Sequence, residues 1–316
     1  MDWWQTLEFR QLGRSGLTVS VVGLGCNNFG VRCDFDQSEA VINSAIDNGI
    51  TFFDTADIYG GHGGSETIIG KVIKGRRDQI VLASKFGMDM GTPDIARGSR
   101  SYVRKSIEGS LRRLQTDYLD LYQFHRPDPL TPIEETLAGL DELVKEGKVR
   151  YIGCSNFAGW QIAEAELLAR MKNSERFISA QNHYSLIEFS VEEEVIPACV
   201  HFGLGMLPFY PLASGLLTGK FQRGQEPPKG TRLANRREEL DRANWDVVEG
   251  LSGLAKSMGV ALADLAISAL ASKPAVASVI AGATRPEQVA SNVKAIELKL
   301  NADDMAKVRE ITGSLT

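Results

Sequence analysis

The chain alternates short apolar runs with longer segments in which apolar residues recur every three or four positions. Short runs rich in β-branched and aromatic residues predict β-strands, and the longer amphipathic segments predict helices. The predicted strands cover residues 21–26, 51–53, 79–84, 118–124, 149–154, 177–181, 204–208 and 276–280. The predicted helices cover residues 37–47, 65–74, 101–114, 132–146, 160–171, 191–202, 245–257, 262–272 and 286–296, and a last helix begins at Ala302.

Strands that are each followed by helical sequence predict an α/β fold, a (β/α)8 TIM barrel rather than an open doubly wound sheet. Residues 7–20 precede the first barrel strand and indicate two short strands around a glycine-bearing turn, which predicts an N-terminal β-hairpin cap. The segment 212–242 is predicted to be a long loop. Because no linker-like change in composition interrupts the chain, we expect one domain spanning residues 1–316.

The glycines near the end of the first predicted strand do not form a dinucleotide-binding fingerprint. Gly23-Leu-Gly25 is followed by Cys-Asn-Asn rather than by the start of a helix, so the G-x-G-x-x-G pattern of a Rossmann fold is not completed. Glycines in such a place favour close packing of the backbone. Gly25 nevertheless stands at a strand end and is kept among the candidate cofactor contacts.

Titratable side chains stand at the carboxyl ends of three successive predicted strands. Asp54 and Tyr59 follow the second strand, Lys85 closes the third and His125 follows the fourth. In a (β/α)8 barrel these ends surround the active site. Each residue alone has a structural explanation, but four of them at neighbouring strand ends predict a catalytic centre. A tyrosine donates a proton more readily when a neighbouring cation lowers its pKa from about 10.

The composition indicates which classes of binding partner and which cellular location to expect. The 35 basic and 40 acidic residues give a net charge of −5, which argues against a nucleic-acid partner. No apolar run approaches the roughly 20 residues that span a bilayer, and the amino terminus lacks the features of a signal peptide, so we expect a cytoplasmic protein without a membrane partner. The four cysteines and four histidines show no metal-ligand spacing, and we expect reduced thiols and no metal site.

Four motifs carry a resemblance to a known family. Asp54-Thr-Ala-x-x-Tyr59-Gly, Ser84-Lys85, Gln123-Phe-His125-Arg-Pro-Asp128 and Gly153-Cys-Ser-Asn-Phe157 resemble, in order and spacing, the signatures of the aldo-keto reductase superfamily. The resemblance spans nearly the whole chain. It is greatest to bacterial members with short C-terminal loops and to potassium-channel β subunits. It implies a (β/α)8 barrel that binds a nicotinamide cofactor without a Rossmann fold.

The resemblance implies roles for the four strand-end residues. Tyr59 is expected to donate a proton to a carbonyl oxygen, and Lys85 to lower the pKa of Tyr59. Asp54 is expected to pair with Lys85 and hold its ammonium in place. His125 is expected to hydrogen-bond the carbonyl oxygen and orient it. No metal is required for this chemistry.

The resemblance also implies a set of cofactor contacts. Ser155, Asn156 and Gln181 are expected to bind the nicotinamide carboxamide, and Phe209 to stack on the ring. Tyr210 stands where the family usually has serine, and a shift of one residue would put Tyr210 on the ring instead. The pyrophosphate contacts are expected at Leu212, Ser214, Gly215 and Lys220, with Arg232 closing over them.

The turn after the last strand is expected to bind the adenosine end of the cofactor. Pro286 suits the first turn of a helix, and helix N-termini bind phosphate. Gly282, Thr284, Gln288 and Asn292 match family contacts to the adenine and its 2′-phosphate, although some branches have Lys and Arg in place of Gly282 and Gln288. Arg285 is expected to supply a cation there, so the sequence favours NADPH over NADH.

The sequence supports a first function and leaves others open. The favoured one is an NADPH-dependent reductase of aldehydes or ketones, reversible as an alcohol dehydrogenase. The alternative is a regulatory subunit that binds nicotinamide and turns over slowly, and a hydrolase or lyase barrel lacks its metal ligands. Asn27-Asn28 replaces a bulky apolar residue after the first strand, which admits a sugar as well as a simple carbonyl substrate. The sequence leaves the oligomeric state open.

Overall fold

The computed structural model describes residues 7–315. Ten short strands are present in this part of the chain, two in an antiparallel hairpin and eight in a parallel sheet. The hairpin strands are β1 (Phe9–Gln11) and β2 (Thr18–Ser20). The sheet strands are β3 (Val22–Gly25), β4 (Phe52–Asp54), β5 (Val81–Phe86), β6 (Leu119–Phe124), β7 (Val149–Ser155), β8 (Phe177–Gln181), β9 (Gly205–Met206) and β10 (Val279–Gly282).

The parallel sheet curls into a closed barrel. Its strand order is β10-β3-β4-β5-β6-β7-β8-β9. Closure is completed by isolated parallel bridges between Met206 and Val276 and between Phe209 and Ile280. The predicted (β/α)8 barrel is therefore confirmed. The predictions were least accurate for the last two strands, where the pairing breaks into bridges.

Helices follow the barrel strands and cover the outside of the sheet. They are α1 (Phe35–Asp47), α2 (Tyr59–His62), α3 (Gly64–Val72), α4 (Arg100–Leu114), α5 (Ile133–Lys145), α6 (Gly159–Lys172), α7 (Val195–Phe202), α8 (Arg237–Asp241), α9 (Trp245–Ser257), α10 (Leu262–Ala271), α11 (Pro286–Ala295) and α12 (Ala302–Thr312). Helix α1 begins two residues before its predicted start because Asp34 and Gln37 form a capping box. Helix α7 begins later than predicted because residues 190–192 form a 3₁₀ turn.

The hairpin closes the amino-terminal end of the barrel, as predicted. Leu12 and Leu17 pack in one buried cluster with Phe52 and Leu121 of the barrel interior. The turn between the hairpin strands requires glycine, since Gly13 has φ +61° and an added Cβ would lie 2.5 Å from the carbonyl oxygen of Ile178. Water is thus excluded from the end of the barrel opposite the titratable residues.

Side chains alternate along the strands and so place polar groups in one inward layer. Phe52 and Leu121 pack inside the barrel, and the residues two positions later, Asp54 and Gln123, also point inward because the strand period is two. Lys85 follows Ala83 in the same way. Two predicted strand ends need correction, since β4 includes Asp54 and β5 runs to Phe86. Asp54 and Lys85 are therefore held on strands rather than on loops.

The long segment 212–242 contains more structure than predicted. It holds two 3₁₀ turns and α8. Its apolar residues Leu217 and Leu233 join a second core cluster with Leu251 of α9 and Leu265 of α10. The segment is therefore packed on the helices that follow it. Among the described residues no single helix is long and apolar enough to cross a membrane; α9 and α10 meet that test only together, across a bend of 95°.

Candidate active site

A buried ion pair lies at the centre of the carboxyl end of the barrel. Lys85 Nζ is 2.7 Å from Asp54 Oδ2, and both side chains are almost completely buried. Lys85 Nζ also donates to the carbonyl oxygen of Thr55 at 2.9 Å. The other carboxylate oxygen of Asp54 accepts hydrogen bonds from Gln123 Nε2 at 3.2 Å and Gln181 Nε2 at 2.8 Å. Because the remaining lone pairs are satisfied, the pair tolerates its burial.

Tyr59 reaches this ion pair from the start of α2. Lys85 Nζ donates to Tyr59 Oη at 3.4 Å, and the ammonium lies 4.9 Å from the centre of the phenol ring. Tyr59 begins α2, which is a single distorted turn. Gly60 and Gly61 leave that turn with positive φ, and a Cβ at Gly60 would lie 2.4 Å from the backbone nitrogen of Ser65. Gly60 therefore allows the turn that follows Tyr59 to pack against the start of α3.

The pKa of Tyr59 is raised above its ordinary value, although Lys85 acts on it in the expected downward direction. Burial raises the pKa, the Lys85 ammonium opposes that rise, and the Asp54 carboxylate adds to it. The pKa of Lys85 is also raised. Burial lowers it, but the charges of Asp54 and Tyr59 outweigh burial. The structure therefore holds a protonated phenol beside a protonated amine.

His125 lies across Tyr59 at the end of β6. The two rings meet edge to face, with centroids 5.8 Å apart. Burial lowers the pKa of His125 well below its ordinary value, and the charges of Lys85 and Arg126 lower it further. Its Nδ1 atom is buried and has no hydrogen-bond partner among the described residues. His125 is therefore a neutral imidazole that is partly exposed at the site.

The three amide and hydroxyl residues predicted to bind a carboxamide lie at adjacent strand ends. Ser155 ends β7 and pairs in register with Gln181 of β8. Asn156 has φ +60°, and its Nδ2 donates to the carbonyl oxygen of His125 at 2.9 Å. Gln181 is not free, because its Nε2 bonds Asp54. Two of the three side chains therefore cluster beside His125, and the third supports the ion pair.

An aromatic cluster follows β9. His183 stacks on Phe209 with centroids 5.5 Å apart, and Tyr210 meets Phe209 edge to face at 5.2 Å. Phe209 and Tyr210 are both half-buried. Because one face of Phe209 is already covered by His183, a flat ligand has only its other face to stack on.

The backbone after the aromatic cluster is curled in an unusual conformation. Tyr210, Ala213 and Ser214 have φ of 53°, 47° and 59°, and Gly215 has φ 108°. Runs of residues in this left-handed region bring successive N–H groups together and form concave anion sites. Of the other residues predicted to contact a pyrophosphate, Leu212 is half-buried and Lys220 is exposed.

Arg232 crosses from the segment 212–242 to the loop after β3. Its Nη2 donates to Asn28 Oδ1 at 3.0 Å and Asn27 Oδ1 at 3.3 Å, and its guanidinium lies 5.1 Å from the ring centre of Tyr210. Asn28 Nδ2 donates to the carbonyl oxygen of Ala283. The two asparagines are thus used within the protein, which removes the reason for expecting a polar substrate pocket from them.

The turn between β10 and α11 is held by its own side chains. Gln288 Oε1 accepts hydrogen bonds from the backbone nitrogen of Thr284 at 2.8 Å and from its hydroxyl at 3.1 Å. Asn292 is buried and Arg285 is exposed. Gly25 lies in register with Gly282 on the neighbouring strand. An added Cβ at Gly25 would lie 3.1 Å from Ile280 Cγ2, so alanine there would require that side chain to shift by a few tenths of an ångström.

Several buried polar residues around the site were not predicted. Gln123 bonds Asp54 and was singled out only as part of a motif. Behind β5, Glu66 accepts from Ser84 Oγ at 2.5 Å and pairs with Arg113 at 2.6 Å. Asp57 is also buried, and its Oδ1 has no partner among the described residues. Glu66 stands three and seven positions before the apolar Ile69 and Ile73, and this helical spacing was the sequence signal that its carboxylate would be buried. Among the described residues no cluster of metal-ligating side chains is present.

A closed (β/α)8 barrel with a buried lysine–aspartate pair, a tyrosine and a histidine at its carboxyl end indicates an oxidoreductase barrel. Sequence comparison supports the same class. A model of the Aldo/keto reductase family matches residues 21–312. The chain therefore belongs to the aldo/keto reductase family of oxidoreductases.

The known proteins that are similar to the chain are named either as oxidoreductases or as potassium channel subunits. It is 38% identical to an uncharacterized oxidoreductase, YrpG, of Bacillus subtilis, with 96% of each chain covered. It is 36% identical to a probable voltage-gated potassium channel subunit beta of Oryza sativa subsp. japonica, with 92% of each covered. It is also 36% identical to a probable aldo-keto reductase 1 of Glycine max, covering 95% of this chain and 87% of that protein.

Proposed function

We propose that the protein is an NADPH-dependent reductase of aldehyde and ketone carbonyls in which Tyr59 is the proton donor. The observation that carries the proposal is the contact of Tyr59 Oη with the buried ammonium of Lys85, itself held 2.7 Å from Asp54. We further propose that residues 1–316 act as one cytoplasmic domain and that the substrates are small-molecule carbonyl compounds.

The proton transfer requires an acid that is protonated before the reaction and stabilised after it. As hydride adds to the carbonyl carbon, the carbonyl oxygen becomes an alkoxide, a far stronger base than a phenolate. The raised pKa of Tyr59 keeps its proton in place until that base develops. When the proton leaves, the tyrosinate lies beside the ammonium of Lys85, and this attraction is strong because the site is buried.

His125 and Asp54 would prepare the site without exchanging protons themselves. The partly exposed, neutral imidazole of His125 would hydrogen-bond the substrate oxygen and orient its carbon toward the incoming hydride. Asp54 would be a positioning residue, since it holds Lys85 while two glutamine amides hold Asp54. A carbonyl bound between Tyr59 and His125 would thus meet a donor on either side.

The residues present fit a nicotinamide dinucleotide. The open face of Phe209 suits a flat ring. The hydroxyl of Ser155 and the side-chain oxygen of Asn156 suit a carboxamide, while Asn156 Nδ2 already donates to His125 and Ser155. The left-handed backbone at Ala213 and Ser214 suits a pyrophosphate. When bound, the reduced cofactor supplies the hydride. The residues of the chain would bind the substrate, orient it and donate the proton.

The replacement of Tyr59 by Phe tests this function. The variant keeps the ring and loses the hydroxyl, so we expect carbonyl reduction to fall by about 10²–10⁴-fold, while the dissociation constants for NADPH and NADP⁺ change by less than about threefold. Tyr118→Phe is the matched control, because Tyr118 lies between Arg77 and Arg150 away from the site and Phe preserves those contacts. Reduction of an aldehyde and ketone panel would be followed by NADPH absorbance. Full activity in Tyr59→Phe would contradict the proposed role.

A second candidate function has a specific observation in its favour. Relatives named as probable or putative potassium channel β subunits match almost as well as those named as reductases. A nicotinamide-binding regulatory subunit would bind NADPH and turn over slowly with every carbonyl in the panel. Turnover of at least about 1 s⁻¹ with any of them, a typical lower value for enzymes, would favour the reductase.

A further inference from the structure

Helix α6 carries large apolar side chains on the face that points away from the barrel. Its inward face is buried, as expected of a helix that covers a sheet. On the outward face Trp160 is 61% exposed, Leu167 is 53% exposed and Met171 is 79% exposed. These three residues and Glu164, which is also exposed, form the α6 stripe. They follow one another at intervals of four, three and four positions, a spacing that keeps them on one side of a helix.

The outward face of α4 shows what such a surface holds when water covers it. Its exposed residues include Arg104, Glu108 and Arg112, and Arg104 pairs with Glu146 at 2.5 Å. Charged side chains of this kind are stable in solvent without any partner protein. Single exposed apolar residues are ordinary as well, but a contiguous row of them marks an interaction site. The α6 stripe is such a row, and nothing within the described part of the chain covers it.

Helix α7 extends the apolar surface beside the stripe. The two helices pack side by side, and a Cβ at Gly159, the first residue of α6, would lie 2.7 Å from the carbonyl oxygen of Glu194, just before α7. Both helices run in the same direction, so Val200 of α7 is level with the middle of the stripe. Val200 is 62% exposed. With it, the apolar side chains expose roughly 500 Å², as much as the largest apolar patch on a typical monomer.

The charges around the stripe differ between its two ends. The exposed acidic residues at the end that holds Trp160 are Glu164, Glu193 and Glu194. At the end that holds Met171, the basic residues Arg170, Lys172 and Arg176 outnumber the acidic residues Glu166 and Glu175. A second copy that runs in the opposite direction places the acidic end of each stripe against the basic end of the other. A copy that runs in the same direction would place like charges together, which is unfavourable.

The spacing of the stripe is self-complementary as well. Intervals of four, three and four positions read the same in both directions, which is what a two-fold symmetric contact requires. In two antiparallel copies Trp160 of each faces Met171 of the other, and an aromatic ring against a thioether is a favourable contact. Glu164 then faces Leu167 and lies about 7.5 Å along the helix axis from Lys172 of the other copy. The two long side chains can span that distance and form an ion pair at the margin.

We propose that the α6 stripe, with Val200 beside it, is the surface on which a second copy of the chain packs antiparallel to form a two-fold symmetric dimer. Two facing patches would bury roughly 1,000 Å² of apolar surface, and their polar margins would bring the total into the range of about 1,200–2,000 Å² of specific interfaces. Both barrel mouths would stay open, because α6 covers the side of the barrel. The inference does not depend on the proposed function, since it requires neither a cofactor nor a substrate.

Sedimentation velocity on the full chain, over about 1–100 µM protein, tests the surface. We expect the unmodified protein to sediment as a dimer in the upper part of this range. Leu167→Glu should raise the dissociation constant of the dimer by at least about 100-fold, because each copy then brings a carboxylate against Glu164 of the other. Leu167 is half exposed, so the variant should keep its fold and its circular dichroism. Leu130→Glu is the matched control, since Leu130 is 60% exposed in a loop away from α6, and it should leave the dimer unchanged.

Cysteine cross-linking tests the direction of packing. The four native cysteines are buried, so a disulfide formed under mild oxidation reports on an introduced thiol. A mixture of Trp160→Cys and Met171→Cys should form disulfide-linked dimers several times faster than either variant alone, because the two positions face each other only between antiparallel copies.

Three results would overturn the proposal. The first is an unmodified protein that stays monomeric over the whole concentration range. The second is a dimer or larger assembly that Leu167→Glu leaves intact, which would place the interface elsewhere. The third is cross-linking of Trp160→Cys alone that is as fast as cross-linking of the mixture, which would contradict antiparallel packing.

Discussion

Asp57 is a buried carboxyl that should make the protein less stable as pH rises. The side chain is 1% exposed, and its Oδ1 has no hydrogen-bond partner among the described residues. The pKa of Asp57 is raised from 3.8 to about 7, chiefly by burial and then by the charge of Glu66, while Arg113 and Lys85 oppose the rise. Because the native state keeps a proton that the unfolded chain releases, stability is fully present below pH 3.8 and is lost as pH rises through about 7.

The size of the effect follows from the shift. A difference of about three pKa units corresponds to about 4 kcal/mol of unfolding free energy, at about 1.4 kcal/mol per unit. About a third of this is already lost at pH 5, so the interval from pH 5 to pH 8 contains roughly 2–3 kcal/mol. Asp57→Asn has similar volume and no charge. Its stability relative to the unmodified protein should therefore rise by about 2–3 kcal/mol between pH 5 and pH 8.

Urea unfolding at pH 5, 6, 7 and 8 would measure this difference. Asp120→Asn is the matched comparison, because Asp120 is also buried but pairs with Arg77 at 2.7 Å and Arg150 at 2.9 Å. It should lower stability by about 3 kcal/mol near neutral pH, since two arginines lose their partner. If Asp57→Asn follows the unmodified protein at a constant offset over the whole pH range, the reasoning about the unpaired carboxyl is refuted.

Two further predictions concern the ion pair and the barrel wall. Lys85→Met should lower the free energy of unfolding by about 3–5 kcal/mol, because Asp54 is left buried and unpaired. The double variant Asp54→Asn/Lys85→Met should regain at least half of that loss, as measured by chemical denaturation. Losses in the double variant that equal the sum of the two single losses would contradict this. Gly153→Ala should cost about 1–3 kcal/mol, since its Cβ would lie 2.2 Å from Ser179 Oγ. Gly253→Ala, with open space around it, should be neutral or stabilising in thermal melts.

The barrel could be predicted because the spacing of apolar residues identifies the strands and helices, and their alternation along the chain identifies the fold. The apolar strands from Phe52 to Gln181 alternate with amphipathic helices, and each pairs with the next strand along the chain. Sequence was less informative at the closing strands, where bridges such as Met206 with Val276 replace a continuous ladder. The sequence analysis also placed Asp54 and Lys85 just beyond their strands. A polar residue that follows an apolar run looks like the first residue of a loop, even when it is the last inward-facing residue of the strand.

The four titratable residues of the candidate site could be predicted, but their electrostatics could not. The direction of the pKa shift of Tyr59 depends on the balance of burial against Lys85 and Asp54, which only the packed structure contains. The bonds from Gln123 and Gln181 to a single oxygen of Asp54 likewise depend on three strands meeting. Short-range pattern carries no information on such contacts between distant residues.

The meeting of the two loops at the barrel mouth is a similar case. Arg32 donates to the carbonyl oxygen of Gly230, and the two residues are separated by 198 positions. The resemblance singled out Arg232 for the pyrophosphate, but it gave no sign of the hydrogen bond from Arg232 to Asn28. Tyr210 was recognised as a departure from the usual serine. Its position beneath Arg232 became visible only in three dimensions.

The central claim is that a carbonyl receives hydride at carbon and a proton at oxygen between Tyr59 and His125. The most direct measurement follows the label from NADPH with deuterium at both C4 positions of the nicotinamide ring into the product of an aldehyde that the protein reduces. The account predicts an alcohol with one deuterium on the carbinol carbon, and formation of that labelled alcohol should slow by about 10²–10⁴-fold in Tyr59→Phe. A product without deuterium, or labelled alcohol formed at the same rate in Tyr59→Phe, would contradict it.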